Sequence, residues 1–207
     1  MSRLSRADSA ARTRQLLLEA AEAVFAERGF ANASLSEIGE RAGFSRGALY
    51  ANFANKTELF LALLDRWLGA EIAEHREIIS SGTTVQHDID ALRGGGGNRF
   101  ADKQRHLLLT EFRLYALRHP EAADRLQEYD RVSRLWFARS VMDAFARAKL
   151  TPPVSPNDIA LLALALEHGI ATLAHTDPQA ISQDSFSDML TLLTRGLTAV
   201  ALQPDKS

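Results

Sequence analysis

The sequence contains no cysteine. Without thiols the chain can have no disulfide framework, no thiolate nucleophile and no cysteine-based zinc site. Any reactive chemistry would depend on histidine, carboxylate and hydroxyl groups. A chain of 207 residues is long enough to bury a hydrophobic core without cross-links, so we predict that it needs no cofactor and no metal for folding.

Proline is absent before Pro120, and sustained alternation of apolar and polar residues, which a half-buried sheet needs, is almost missing. Apolar residues instead recur at helical spacing through most of the chain. We therefore predict an all-α fold. In its second half the helices are expected at about residues 101–118, 121–149, 157–175 and 184–202, with prolines near their ends. The glycine-rich and serine-rich stretch 80–100 predicts a mobile connection.

An apolar signal core is also lacking, because the basic start is followed by an amphipathic pattern that includes Glu19, Glu22 and Glu27. No later stretch approaches a membrane span in length and apolar composition. The formal net charge of -2 argues against a surface coated with basic residues for unspecific nucleic-acid binding. We expect a cytoplasmic protein without a membrane partner, in which any DNA contact is local.

The N-terminal region predicts a series of capped helices. The apolar stripe from Leu17 to Phe25 indicates a first helix, and Gly29 is its expected end. Ser34 followed by Glu37 fits a capping box, in which each side chain bonds to the backbone N–H of the other residue. A second helix is therefore expected to begin at Leu35.

The second helix must be short, because Gly43 follows soon after its start. Ser45 is the expected N-cap of a third helix from Arg46 to about residue 53. Asn55 and an acidic residue in the next turn predict a fourth helix from Lys56 to about residue 79. Two short helices that meet at a tight glycine turn are typical of a helix-turn-helix, whose second helix enters the DNA major groove.

Residues 14–60 resemble the N-terminal pattern of the TetR family of bacterial transcriptional repressors. The matching residues are Ala20, Ala21, Phe25, Gly29, Phe30, Ser34, Leu35, Ile38, Ala42, Gly43, Phe44, Ser45, Gly47, Leu49, Tyr50, Phe53, Lys56 and Leu59. The resemblance implies a DNA-binding head at residues 1–55 and a larger helical body for ligand binding and dimerisation at residues 56–207. It implies DNA contacts from Ser34, Ser45, Arg46, Gly47, Ala48, Tyr50, Asn52 and Lys56.

Three positions depart from the commonest form of that pattern. Gly39 stands where alanine is usual, Ala48 where threonine is frequent, and Asn52 where histidine or tyrosine is usual. The glycine should weaken its helix slightly. The other two leave the operator sequence open.

Two motifs suggest chemistry that we do not expect. Ser45 is the central serine of a G-x-S-x-G sequence, but the nucleophile elbow of a hydrolase follows a buried strand, and here a capped helix precedes the serine. His168 and His175 share a helix face at a spacing that a metal site could use, yet no third ligand lies at a telling distance. We predict core or interface histidines and no catalytic residues.

The helix expected at 157–175 is apolar on nearly all sides, with Ile159, Leu162, Leu166, Ile170 and Leu173 on one side and Leu161, Leu164 and Ala171 on the other. One face can pack on the rest of the chain, and the other calls for a partner. We expect a homodimer formed by this helix and the last one, as the resemblance also implies. A large monomeric body that buries the helix centrally is the alternative.

Large aromatic residues in the body fit a filled helical core on the sequence alone. Only the resemblance implies an effector pocket, near Trp67, Phe112, Tyr115 and Trp136. The predicted function is a small-molecule-responsive repressor that binds a near-palindromic double-stranded DNA operator. The alternative is a small-molecule-binding or enzymatic helical protein whose head is an interaction module. Activation in place of repression stays open, because operator position decides it.

Overall fold

A computed structural model describes residues 6–81, 89–90, 102–182 and 184–203. The described residues form helices and no strand, which confirms the predicted all-α fold. The helices are α1 (Arg6–Asn32), α2 (Leu35–Arg41), α3 (Arg46–Asn52), α4 (Lys56–Ser81), α5 (Lys103–Ala116), α6 (Pro120–Arg147), α7 (Pro156–Thr176) and α8 (Ser185–Ala201).

Side-chain caps determine where the short N-terminal helices begin. Ser34, Ser45 and Asn55 each accept a hydrogen bond from the backbone N–H three residues ahead, at 3.2, 3.2 and 2.8 Å. At the start of α4 the carboxylate of Glu58 also accepts from the N–H of Ala54 at 2.7 Å. Because each cap satisfies an N–H that has no partner within its helix, the predicted helix starts are confirmed.

The capping box expected at α2 is only half formed. The hydroxyl of Ser34 accepts from the N–H of Glu37 as predicted. The carboxylate of Glu37, however, pairs with the guanidinium of Arg28 on α1, at 3.2 Å from Nε. An ion pair between neighbouring helices replaces the second bond of the box.

The first helix changes its backbone path at Gly29. This residue has φ 75° and ψ 165°, far from helical values, although helical hydrogen bonding resumes and continues to Asn32. Glycine adopts such positive φ without the steric cost that a side chain brings. The predicted end of the regular helix at Gly29 is therefore confirmed, with one further turn before α2.

The chain divides into two compact units. The first unit comprises Met1–Trp67 and Leu107–Gln127, and the second comprises Leu68–His106 and Glu128–Ser207. Helices α4, α5 and α6 each contribute residues to both. The division predicted at residue 55, between a DNA-binding and a ligand-binding part, is functional and stays a prediction.

Four phenylalanine rings form the centre of the first unit. In this phenylalanine cluster Phe60 lies 5.2 Å from Phe25, 5.1 Å from Phe30 and 4.5 Å from Phe112 between ring centroids. All four side chains are at most 2 % exposed. Edge-to-face and offset contacts of this kind add to the free energy gained by burying the rings. The cluster joins α1, α4 and α5.

In the second unit α7 packs against α8. The buried side of α7 consists of Ile159, Ala160, Ala163, Leu164, Glu167 and Ala171. Its other side exposes Leu161, Leu162 and Leu173 by 55, 46 and 54 %. The helix is thus apolar on both sides, as predicted. The assignment of residues to the two sides was wrong, because Ile159 is buried while Leu162 and Leu173, expected on the same side, are exposed.

The expectation that no segment resembles a membrane span was wrong for α7. This helix is long and apolar enough to cross a bilayer by length and composition. The cause is its two apolar faces, of which one is buried against the protein itself.

The predicted mobile connection at 80–100 falls mostly outside the described residues. Ser80 and Ser81 are the last residues of α4, which ends two residues beyond the predicted position 79. The glycine run Gly94–Gly97 is not among the described residues.

Candidate nucleic-acid interface

A tight turn connects α2 to α3. Gly43 adopts φ 74°, and its N–H donates to the carbonyl of Glu40 at 3.0 Å. The next N–H, of Phe44, donates to the carbonyl of Gly39 at 2.9 Å. These bonds satisfy carbonyls at the end of α2 and turn the chain towards α3. Helix, glycine turn and second helix form the predicted helix-turn-helix.

Helix α3 has one buried and one exposed side. Leu49 and the C-cap residue Phe53 are each 1 % exposed and anchor the helix. The opposite side and the N-terminal end are open to solvent, where the structure exposes Ser45, Arg46, Gly47, Tyr50 and Ala51. The small residues at this end leave the backbone accessible. The exposed side can therefore approach a DNA groove closely.

Arg46 and Tyr50 are neighbours on this exposed side, one turn apart. The guanidinium carbon lies 5.5 Å from the centroid of the tyrosine ring, which is a cation–π contact. Tyr50 is 45 % exposed. A guanidinium held beside an aromatic ring retains donors that can bond to the O6 and N7 acceptors of guanine or to phosphate.

Arg14 on α1 holds the other end of α3, a role that the sequence analysis missed. Its Nη1 donates to the carbonyl of Asn52 at 3.0 Å, and its guanidinium lies 4.2 Å from the centroid of the Phe53 ring. The carbonyl belongs to the last turn of α3, where a cation is favourable. No sequence pattern pairs residues 38 positions apart, so only the fold reveals this contact.

Asn52 has its side chain engaged within α3. Its amide nitrogen donates to the carbonyl of Ala48 at 2.8 Å. The amide oxygen remains an acceptor for a donor on DNA. Ala48 and Asn52 are both half-buried, unlike the residues at the open end of the helix.

Lys56, at the start of α4, is directed to the end of α1. Its ammonium donates to the carbonyls of Ala31 and Ala33 at 2.8 and 3.0 Å and lies 4.9 Å from the centroid of the Phe30 ring. Partial burial lowers the pKa of this ammonium. An ammonium has three donors, so one is left for a phosphate oxygen.

Two exposed ion pairs tie α2 to α1. Arg41 Nη2 lies 2.7 Å from Glu27 Oε1, and Arg28 Nε lies 3.2 Å from Glu37 Oε1. The hydrogen bond from Arg41 lowers the pKa of Glu27. Because both pairs are solvent-exposed, each contributes little to stability, and their main effect is to favour one orientation of α2.

The structure places the predicted DNA-binding residues at the starts of α2 and α4 and along α3. Ser34 caps α2, Lys56 begins α4, and the others belong to α3 or to its cap. Each capping hydroxyl uses an oxygen lone pair for its cap, and its own hydrogen can still be donated.

The motifs that suggested chemistry have structural roles. Ser45 caps α3 and follows helix α2, so no strand leads into it. His168 Nδ1 lies 2.8 Å from the carbonyl of Leu164 one turn earlier. The centroid of the His175 ring lies 5.3 Å from that of His106, a tilted contact within the second unit. Among the described residues no group of three or more histidine and acidic side chains could hold a metal ion.

Three of the four residues predicted near a ligand belong to the first unit. Phe112 is part of the phenylalanine cluster, and Tyr115 lies 4.9 Å from Phe30 between ring centroids. Trp67 donates its indole N–H to Glu22 at 2.8 Å. Trp136 is in the second unit and packs edge-on against the neighbouring residue at 5.0 Å. Their ligand contacts stay a prediction.

Comparisons with known proteins agree with the helix-turn-helix. Residues 17–63 match the family described as bacterial regulatory proteins, tetR family. The transcriptional regulator UidR of Escherichia coli K12 is 25 % identical over 186 residues, which cover 89 % of this chain and 92 % of UidR. The transcriptional regulator TtgR of Pseudomonas putida is 38 % identical over 85 residues, but the match covers only 41 % of this chain and 38 % of TtgR.

The chain carries the N-terminal helix-turn-helix region of the TetR family at residues 17–63. It is a DNA-binding transcriptional regulator with a helix-turn-helix, as its match to the family and to UidR shows. Among solved structures, SmeT, the repressor of the multidrug efflux pump SmeDEF of Stenotrophomonas maltophilia, superposes on this regulator with a TM-score of 0.61. The two are 26 % identical, and the match covers 84 % of each chain.

Alanine at Gly39 should stabilise this regulator, whereas alanine at Gly43 should destabilise it. A methyl group at Gly39 would meet Leu49 at 3.4 Å, an ordinary contact, so Gly39→Ala should gain about 0.5–1 kcal/mol of helix propensity. Gly43 has open space but φ 74°, so Gly43→Ala should cost about 1 kcal/mol. Thermal unfolding followed by circular dichroism should shift in opposite directions. Equal shifts of the same sign would contradict this account of the turn.

Proposed function

We propose that this regulator is a cytoplasmic, ligand-responsive repressor without enzymatic activity, acting as a homodimer on a near-palindromic operator. The observation that carries the proposal is the exposed side of α3, where Arg46 and Tyr50 lie together while Leu49 and Phe53 anchor the opposite side. An anchored helix with a basic, open N-terminal end is the arrangement that major-groove recognition requires.

The roles of the side chains follow from their chemistry. Arg46 is the candidate for base recognition, because its planar fork matches the two acceptors of guanine. Tyr50, Ser34 and Ser45 carry hydroxyl groups at exposed positions and are suited to phosphate. Gly47 and Ala48 leave room for close approach. Phosphate contacts would fix the orientation of the head, and base contacts would select the sequence.

Exposed apolar residues on α7 and α8 support a homodimer. On α8 they are Met189, Leu192 and Val200, exposed by 41, 65 and 55 %. Their spacing of three and eight residues places them on one face of the helix. Together with Leu161, Leu162 and Leu173 on α7 they offer a surface that a second copy would cover about a two-fold axis. Two heads would then reach half-sites about one helical turn apart, roughly 34 Å.

A small-molecule effector is proposed for the body. SmeT has been solved as a complex with triclosan, which supports an apolar or aromatic ligand here. Trp67, Phe112, Tyr115 and Trp136 are the candidate contacts, but Phe112 is 0 % exposed. A ligand that touches Phe112 must therefore displace its neighbours in the phenylalanine cluster. It can shift DNA binding only by its difference in affinity between the two conformers.

Selection of DNA by the purified protein tests the proposal. From fragmented genomic DNA at low salt, the wild type should enrich one near-palindrome. Arg46→Ala should lose preference for at least one base of each half-site, with discrimination falling by about 1–3 kcal/mol. The matched control is Arg12→Ala, which removes the same charge from an exposed position on α1.

The outcomes of this selection separate the candidate functions. No enrichment by the wild type, and no salt-sensitive affinity, would overturn DNA binding and favour a small-molecule-binding or enzymatic protein. Enrichment that Arg46→Ala and Arg12→Ala change equally would remove Arg46 from base recognition. Transcription from a promoter carrying the selected sequence then distinguishes repression from activation.

Lys56→Ala should weaken binding to all sequences alike and reduce the salt dependence of log K by about one unit of slope, the effect of losing one phosphate contact. Affinity alone is ambiguous, since the same change removes the donor to Ala31 and Ala33. The salt slope, measured by fluorescence anisotropy, separates the two effects. Weaker binding with an unchanged slope would make Lys56 a helix cap without a phosphate contact.

Leu192→Glu should dissociate the proposed dimer. A charge without a partner in an apolar interface costs several kcal/mol, so the dissociation constant should rise about a hundredfold or more. Leu117→Glu is the matched control, because Leu117 is 83 % exposed and lies outside α7 and α8. Sedimentation velocity should show monomers for Leu192→Glu and dimers for the wild type and the control. A dimeric Leu192→Glu protein would exclude this face as the interface.

A further inference from the structure

A carboxylate from α5 binds the backbone at the break in α1. Glu111 Oε2 accepts a hydrogen bond from the N–H of Phe30 at 2.7 Å. The two residues are 81 positions apart and both belong to the first compact unit. A charged acceptor makes this bond shorter and stronger than one between neutral groups.

The carboxylate fits this place because residue 29 has no side chain. A Cβ atom built on Gly29 would lie 2.8 Å from Glu111 Oε2 and 3.0 Å from Oε1, so the carboxylate would have to move away from its present position. The positive φ of Gly29 is equally unsuited to a side chain. The break in α1 and the position of Glu111 therefore depend on each other.

A second charged group holds the chain just after the break. The ammonium of Lys56 on α4 donates to the carbonyls of Ala31 and Ala33. Between these contacts the Phe30 ring is fixed in the phenylalanine cluster, 5.1 Å from both Phe60 and Phe112. We call residues 29–34 the α1–α2 junction. In this junction the N–H of Phe30 bonds to the carboxylate of Glu111, and the carbonyls of Ala31 and Ala33 bond to the ammonium of Lys56.

The α1–α2 junction leads directly into the helix-turn-helix. Ser34 ends it as the N-cap of α2, and α2 continues through the Gly43 turn to α3. Since α2 and α3 follow the junction in direct succession along the chain, a rotation at the junction would displace the exposed side of α3. The operator contacts are therefore sensitive to the geometry at Phe30.

We propose that Glu111 is a positioning residue for DNA binding, which sets the orientation of α2 and α3 through the backbone N–H of Phe30 without touching DNA. This inference rests on the proposed function. The hydrogen bond from Phe30 to Glu111 thus connects α5 to the helix-turn-helix, and a displacement of α5 would break it.

Electrostatics and positioning predict opposite signs for the loss of this carboxylate. Removing a negative charge near DNA should strengthen binding slightly, because phosphate repulsion falls. Loss of a positioning bond should weaken DNA binding. We expect about a three- to tenfold loss of affinity, because part of the free energy of a charge-assisted hydrogen bond stabilises the fold and only the rest orients α2 and α3. The salt slope should stay unchanged, since no phosphate contact is lost.

The test compares Glu111→Ala, Glu111→Gln and Glu121→Ala with the wild type. Glu111→Gln keeps an oxygen that can accept from the Phe30 N–H. Glu121→Ala removes the same charge from an exposed residue that lies next to His119. Affinity for the near-palindromic duplex selected by the wild type is measured by anisotropy, at a temperature where circular dichroism shows every variant folded. The Phe30 amide is followed by NMR of protein labelled with ¹⁵N-phenylalanine.

Glu111→Ala should bind three- to tenfold more weakly with the wild-type salt slope, and the Phe30 amide proton should shift upfield and exchange faster with solvent. Glu111→Gln should retain most of the affinity, and Glu121→Ala should bind at least as well as the wild type. If Glu111→Ala binds like Glu121→Ala, or if its Phe30 amide is unchanged, the inference is wrong while DNA binding stands. If the wild type binds no duplex, the proposed function itself fails.

Discussion

The packing of Phe30 against Phe25, Phe60 and Phe112 is the constraint on which the N-terminal part of the molecule depends. A straight α1 would carry residue 30 onward along the helix axis. The backbone change at Gly29 instead returns the ring to the cluster. One glycine thus converts a long helix into a support for two short ones, because α2 begins only a few residues later.

Charged side chains complete what the aromatic packing begins. Backbone groups at an interrupted helix lose their helical partners and can bond to side chains instead. Here a carboxylate takes an N–H and an ammonium takes two carbonyls, while Arg14 takes the carbonyl of Asn52 at the end of α3. The ends of α1 and α3 are therefore satisfied by long side chains from other helices. Helices of seven residues would be marginal by themselves.

Local signals were sufficient to predict most of the fold. Ser34, Ser45 and Asn55 act within four residues of themselves, so their caps could be recognised in the sequence and were confirmed. The contacts of Arg14 and Glu111 join residues that are 38 and 81 positions apart. Such pairs leave no periodicity or spacing signal, because their geometry depends on how whole helices pack. The arrangement around the α1–α2 junction could therefore not be predicted.

Helix α7 shows a related limit of pattern-based prediction. Periodicity indicated a helix that is apolar on nearly all sides, and this is correct, but it could not tell which face is buried. Leu164 and Leu162 are equivalent in hydrophobicity, yet the first is 9 % and the second 46 % exposed. The difference lies in how the rest of the protein packs on α7 and not in the residues themselves.

The division of α3 into an anchoring side and an exposed side also bears on how such a protein can change over generations. Leu49 and Phe53 hold the helix in place and are almost inaccessible to solvent. Arg46 and Tyr50 are exposed and contact each other. Substitutions at the exposed positions should cost little stability. A duplicated copy of the gene could therefore acquire a new target sequence by a few such changes, while the scaffold that presents them is inherited intact.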